Sequence, residues 1–156
     1  MIEWINERFG TDFTEEQLIN VKDFSLLWNI FENLVCRNHC NVNRLEERLN
    51  PVDFEITDFQ ENLQYFKDRY TENGTTNARF EHLNFRNGDR KEFVANVLLG
   101  NEDVTSNIVL ALTIIVYRFR NNLFHGLKNF MQINEQEENF KNANQVIKSI
   151  LTHFTN

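Results

Sequence analysis

The sequence predicts an all-α bundle, and three observations carry that prediction. Its 156 residues include one Pro and five Gly, so little interrupts long regular elements. Apolar residues recur at helical spacing in several segments. The one apolar run whose Val, Ile and Thr content would suit a buried strand, within Asp103 to Tyr117, finds no convincing partner strands elsewhere in the chain. The length suits a single domain over residues 1–156 that can bury its own core, and neither an internal repeat nor a long linker divides it.

The first strong element opens at Thr14-Glu15-Glu16-Gln17, which fits a capping box, with Phe13 and Leu18 placed as a hydrophobic staple across it. Leu27, Ile30, Phe31, Leu34 and Val35 follow at helical spacing and predict a helix over residues 15–39. Glu46 and Arg48 fall in a short polar turn or helical piece closed by Asn50-Pro51. A second helix is predicted from Thr57 to Tyr70. Thr57 and Gln60 repeat the capping-box spacing, Phe59, Leu63, Phe66 and Tyr70 form the stripe, and Gly74 ends it. Between Ala78 and Asp89, Asn87-Gly88 is a turn signal compatible with a hairpin, but a short helical turn followed by a loop is preferred. Asp89 with Glu92 opens a short helix through Val97, stopped by Gly100.

The segment Asp103 to Tyr117 is long enough to read as a helix buried on most sides. The last helix starts near Asn134 with acidic residues in its first turn, as the helix dipole prefers. Phe140, Ala143, Ile147, Ile150, Leu151 and Phe154 form its stripe. Asparagine is abundant but scattered, and no function is read from it.

The net charge of −7 counts against a nonspecific nucleic-acid binder, whose affinity would come from a broad basic surface. It also disfavours a DNA-binding regulator, for which no basic recognition helix is present. Arg118, Arg120 and Lys128 nonetheless form a local positive cluster with no acidic residue between Val104 and Ile133. The N-terminus, Met1-Ile2-Glu3-Trp4, lacks the apolar core of a signal peptide. The longest apolar run, Ile108 to Tyr117, falls short of the roughly 20 residues that cross a bilayer. A cytoplasmic protein with no membrane partner is expected, with Cys36 and Cys40 reduced. Cys36, His39 and Cys40 supply at most three ligands, whereas structural zinc takes four. Neither His82 nor His153 completes the set, so the cysteines are expected to be helix-packing residues, with no metal and no cofactor.

The chemistry-bearing stretch is Tyr117-Arg118-Phe119-Arg120-Asn121-Asn122-Leu123-Phe124-His125-Gly126. There a buried run hands over to a fixed cation, an amide and a base that titrates near neutrality. His125 can exchange a proton with a ribose 2′-hydroxyl or a leaving 5′-oxygen. Arg120 can bind a phosphate in bidentate fashion and stabilise charge developing on its oxygens. Asn121 can orient the imidazole or bond the phosphate. On a straight helix Asn121 and His125 share a face, whereas Arg120 lies about 140° from His125. The helix must therefore break near the motif, or a second copy must supply the missing group.

The pattern Arg-Asn-x-x-x-His at Arg120, Asn121 and His125 resembles the signature of HEPN domains, small helical dimers of which many are RNA-cleaving toxins or defence effectors. The resemblance implies an up-and-down, homodimeric bundle in which two motifs meet across the dimer axis. It also implies a metal-independent endoribonuclease in a toxin–antitoxin or phage-defence setting, with an RNA substrate and a cognate antitoxin or defence partner. Some HEPN nucleases place a polar residue from the first long helix near the motif, which makes Glu32 a catalytic candidate; a solvated helix-flank glutamate is the alternative. Tyr117, Arg118 and Lys128 are candidate RNA contacts, although Arg118 equally suits the edge of the buried segment. The rival reading is a noncatalytic helical interaction module that retains the motif as a structural relic. An Arg120 and His125 exposed in a cleft favour the enzyme; their full burial favours the module.

Overall fold

The computed structural model describes residues 1–126 and 129–155. Among them lie eight α-helices and one two-stranded sheet: α1 (Ile2–Phe9), α2 (Glu15–Leu34), α3 (Val42–Leu49), α4 (Gln60–Tyr70), β1 (Thr71–Glu72), β2 (Thr75–Thr76), α5 (Ala78–Glu81), α6 (Lys91–Leu98), α7 (Thr105–Phe124) and α8 (Glu137–Leu151). The helical class is as the sequence predicts. No described helix is long and apolar enough to cross a membrane.

The capping box at the head of α2 is present in both directions: Gln17 N–H donates to Thr14 Oγ1, and Thr14 N–H donates to Gln17 Oε1. Phe13 and Leu18 are buried with Ile2 in a small satellite core beneath α1, a helix the sequence reading did not anticipate. The expected box at Thr57 and Gln60 does not form. Residues Ile56–Asp58 make a 3₁₀ turn, and α4 starts behind Phe59 with no side-chain cap. The helix expected from Asp89 starts instead at Lys91, because the Asp89 carboxylate is engaged by Arg86 N–H and by Arg118. The hairpin lies earlier than the turn signal at Asn87-Gly88 pointed. Asn73 and Gly74, both with positive φ, turn β1 into β2, with Thr71 opposite Thr76.

Helix α7 is the central element. Every residue from Ile108 to Val116 is buried, and α7 packs against α3, α4, α6 and α8. Helices α2 and α8 form the most extensive pairing. Phenylalanine supplies much of the seam: Phe24 meets Phe140 at 5.0 Å, and Phe119 meets Phe66 at 5.9 Å and Phe140 at 6.1 Å. A fully buried Phe contributes roughly 1.5–3 kcal/mol over an exposed one, so this network anchors α7 against α4 and α8. The scattered asparagines also have a structural use. Asn62 Nδ2 donates to Asn142 Oδ1 and Gln145 Oε1, Tyr65 Oη donates to Asn139 Oδ1, and Asn144 Nδ2 donates to the carbonyl of Asn20. These bonds pair polar groups where α8 meets α4 and α2, while Asn144 Oδ1 stays buried without a partner among the described residues.

Two expectations, the end of α2 and the state of the cysteines, are corrected. Helix α2 ends at Leu34, not near residue 39, and Cys36 and Cys40 are joined in a disulfide across the turn that follows. That turn holds Arg37 and Asn38 in left-handed conformations, which brings the two cysteines onto one side. Helix α7, read from the sequence as buried on most sides, is covered within the chain by the neighbouring helices.

Candidate active site

The last turns of α7 separate two arginines two residues apart. Arg118 is fully buried. Its Nε donates to the carbonyl of Leu83 at 3.1 Å and its Nη1 to Asp89 Oδ2 at 3.0 Å. Beside it, Asn122 Nδ2 donates to the carbonyl of Leu83 at 3.1 Å, so α7 holds the loop before α6 by two side chains. Burial is the largest influence on the Arg118 guanidinium and pulls its pKa down; the adjacent Asp89 carboxylate opposes that shift and the nearby Arg86 adds to it. The expected surface cluster of Arg118, Arg120 and Lys128 is therefore corrected at Arg118, whose charge is turned inward and neutralised by an acid from outside the Val104–Ile133 segment. Lys128 lies outside the described residues.

Arg120 points to the other side and is half-buried. Its Nη1 donates to Asn121 Oδ1 at 3.0 Å, its Nη2 stands 4.0 Å from Glu32 Oε2, and its guanidinium carbon sits 5.6 Å from the centre of the Phe124 ring. Arg120, Glu32 and Phe124 border a cavity of about 190 Å³ completed by Ser25, Trp28 and Asn29 of α2. Two donors there, Arg120 Nε and Trp28 Nε1, are buried without a hydrogen-bond partner among the described residues. A buried N–H without an acceptor carries a desolvation cost of about 1–3 kcal/mol, so both donors lie behind the cavity at a cost to the fold. At 4.0 Å, Glu32 attracts the guanidinium without closing a short bond to it.

His125 terminates α7. Its N–H donates to the carbonyl of Asn121 at 3.0 Å, its backbone leaves the helical region (φ −95°, ψ 9°), and Gly126 turns left-handed behind it (φ 65°), a common helix ending. The side chain is exposed and does not border the Arg120 cavity. Of the expected site residues, the structure thus brings Arg120, Asn121 and Glu32 together, sets His125 one turn away at the helix end, and places Tyr117 on the adjoining flank, its ring 6.1 Å from that of Trp28.

That flank holds a second cavity, of about 320 Å³, bordered by Tyr117, Arg118 and Asn121 of α7, by Asn41, Val42 and Asn43 at the head of α3, and by the turn Arg86-Asn87-Gly88-Asp89. Asn121 lines this cavity while its Oδ1 reaches Arg120, so it stands between the two. Sequence reasoning missed Trp28 and Asn29 in the first cavity and Arg86 and Asn41 in the second. Trp28 lies one helical turn before Glu32, and that spacing was the signal for it; nothing in the sequence ties Arg86 or Asn41 to α7.

No family model, curated protein or solved structure matches the chain.

Proposed function

We propose that this chain is a HEPN-like, homodimeric, metal-independent endoribonuclease acting in a toxin–antitoxin or phage-defence setting. The observation that carries the reading is the Arg120 cavity. A partly exposed guanidinium, held by Asn121 and loosely by Glu32, borders a cavity on α2, and His125 stands exposed at the helix end one turn away. In the reaction, His125 takes the proton of a ribose 2′-hydroxyl, whose oxygen attacks the adjacent phosphorus. The bond to the 5′-oxygen breaks, that oxygen is protonated by a second acid, and a 2′,3′-cyclic phosphate remains. Arg120 donates to the phosphoryl oxygens as charge builds on them. Asn121 and Glu32 hold the guanidinium from two sides, a positioning role for both. The partner's copy of the motif supplies the second acid, which answers the separation of Arg120 from His125 within one chain.

Exposed apolar side chains flank the motif and fit such self-association. Phe124 is about half exposed, as are Phe130 and Met131 in the segment that follows, and Phe130 stacks edge-on with Phe9 at 5.3 Å, itself 5.9 Å from Trp4. Trp4, Phe9 and Phe130 thus form an exposed aromatic cluster, the kind of patch that fits an association surface.

RNA cleavage in EDTA tests the proposal. Wild type should cut RNA, spare DNA and fail on a target carrying 2′-deoxyribose at the cut, and His125→Ala should be inactive while folded. A magnesium requirement, or cutting by His125→Ala, would overturn it.

One observation favours the noncatalytic module instead. Ile19, Leu26, Ile30 and Leu34 are exposed along one stripe of α2, turned away from the core. That stripe lies on the far side of α2 from Glu32 and would serve a protein partner without involving the motif.

A further inference from the structure

The second cavity has the composition of an anion site. Two guanidinium groups, those of Arg86 and Arg118, border it, against the single carboxylate of Asp89. Asp89 is already engaged: its Oδ2 accepts from Arg118 Nη1 at 3.0 Å and from Arg86 N–H at 2.8 Å. The Arg86 side chain is exposed and makes no hydrogen bond or ion pair among the described residues, so the wall carries one uncompensated positive charge. The other nearby pair, Arg90 with Glu46, is neutral in itself. Asn41 caps α3 by accepting from Arg44 N–H, and the first-turn N–H groups of Val42 and Asn43 have no helical acceptor.

A buried side chain supplies the independent indication of a ligand. Asn121 is 4% exposed and borders the cavity; its Oδ1 is taken by Arg120, and its Nδ2 has no partner among the described residues. Because only the oxygen of the amide can accept from a guanidinium, the nitrogen is fixed as the end left to donate.

We propose that this cavity binds a phosphate group, held by the Arg86 guanidinium, the Asn121 amide and the N–H groups at the head of α3. The choice of a nucleotide phosphate over other oxyanions rests on the ribonuclease reading; the anion site itself does not. Two sources share the chemistry: a backbone phosphate of an RNA chain that also reaches Arg120, and the phosphate of a free mononucleotide. In either case Asn121 carries the effect across α7, since an anion on its nitrogen draws charge toward it and strengthens the acceptor that Arg120 uses.

Titration with inorganic phosphate, followed by calorimetry and by the Asn121 side-chain amide resonance, tests the assignment. Wild type should bind phosphate and shift that resonance. Arg86→Glu, with unchanged circular dichroism, should bind about tenfold or more weakly, as loss of a charge-assisted contact predicts. His125→Ala should bind phosphate like wild type, and a wild-type protein that binds phosphate yet cuts no RNA would sink the nuclease reading and leave the site standing. AMP should displace phosphate and adenosine should not. Displacement by a 2′-O-methyl oligonucleotide assigns the occupant to a chain, and displacement by AMP alone assigns it to a free nucleotide. Equal phosphate affinity in Arg86→Glu, an unmoved Asn121 resonance, or displacement by adenosine as effective as by AMP would overturn the proposal.

Discussion

Arg118 and Arg120 are two residues apart on one helix, yet their surroundings differ in every respect that matters. Arg118 is enclosed, ion-paired with Asp89 and bonded to the Leu83 carbonyl. Arg120 is half-open, held by Asn121 and only loosely by Glu32, with its Nε unpartnered. Two residues along a helix turn a side chain by about 200°, so the central α7 presents one arginine to the loop before α6 and the other to α2. A cation whose donors are satisfied inside the protein serves the fold; one whose donors are left open can serve a ligand. The same segment therefore carries one arginine satisfied within the fold and one left partly open, distinguished by their partners and not by sequence.

The largest effect expected on breaking this contrast is at the structural side. Asp89→Ala leaves the Arg118 charge buried and unpaired and frees Arg86 N–H, and should cost about 3–5 kcal/mol of stability, measured by urea unfolding. A loss below 1 kcal/mol would mean that Arg118 finds water or another partner. On the chemical side, His125→Ala should lower RNA cleavage by roughly 10²–10⁴-fold with the thermal midpoint unchanged, since the side chain is exposed at the helix end.

How much of this was legible in the sequence differs between the two arginines. The helical class, the α2 capping box and the course of α7 follow from local pattern, because a cap or an apolar stripe is written within a few residues. The motif residues Arg120, Asn121 and His125 could be singled out for the same reason. The role of Arg118 could not, because its partners Asp89 and Leu83 come from a loop about thirty residues earlier, brought in only by tertiary packing. The Cys36–Cys40 bond was missed because a helix was extended across Arg37 and Asn38, two non-glycine residues that adopt left-handed conformations. The Asp89 helix start failed for a related reason: a long-range arginine outcompeted the local cap.

Smaller effects sharpen the comparison. Phe130→Glu, in the patch beside the motif, should convert a dimer to monomer in sedimentation and lower cleavage without lowering stability; an unchanged sedimentation profile would remove this patch as the interface. The smallest effect concerns the start of α7. Glu102 accepts from Val104 N–H, from Asn107 Nδ2 and from Asp103 N–H in place of an N-cap side chain. Those bonds hold its pKa below the ordinary value of 4.5, the Val104 bond most. Its contribution should be fully present above that value and be lost as pH falls through the lowered pKa. Glu102→Ala should therefore slightly lower the thermal midpoint at pH 7, with the effect shrinking as the solution is acidified, a pH dependence absent if the carboxylate does not cap the helix.

The most direct test pairs RNA cleavage in EDTA with the thermal midpoint for Arg118→Ala and Arg120→Ala. Arg120→Ala should keep its midpoint within a few degrees of wild type and lose cleavage by about 10²–10³-fold, the factor for a lost transition-state donor. Arg118→Ala should lose its folded state or melt far lower, because Asp89 is left without its partner. An Arg120→Ala protein that is folded and fully active, or an Arg118→Ala protein as stable as wild type, would contradict the division of labour between the two arginines.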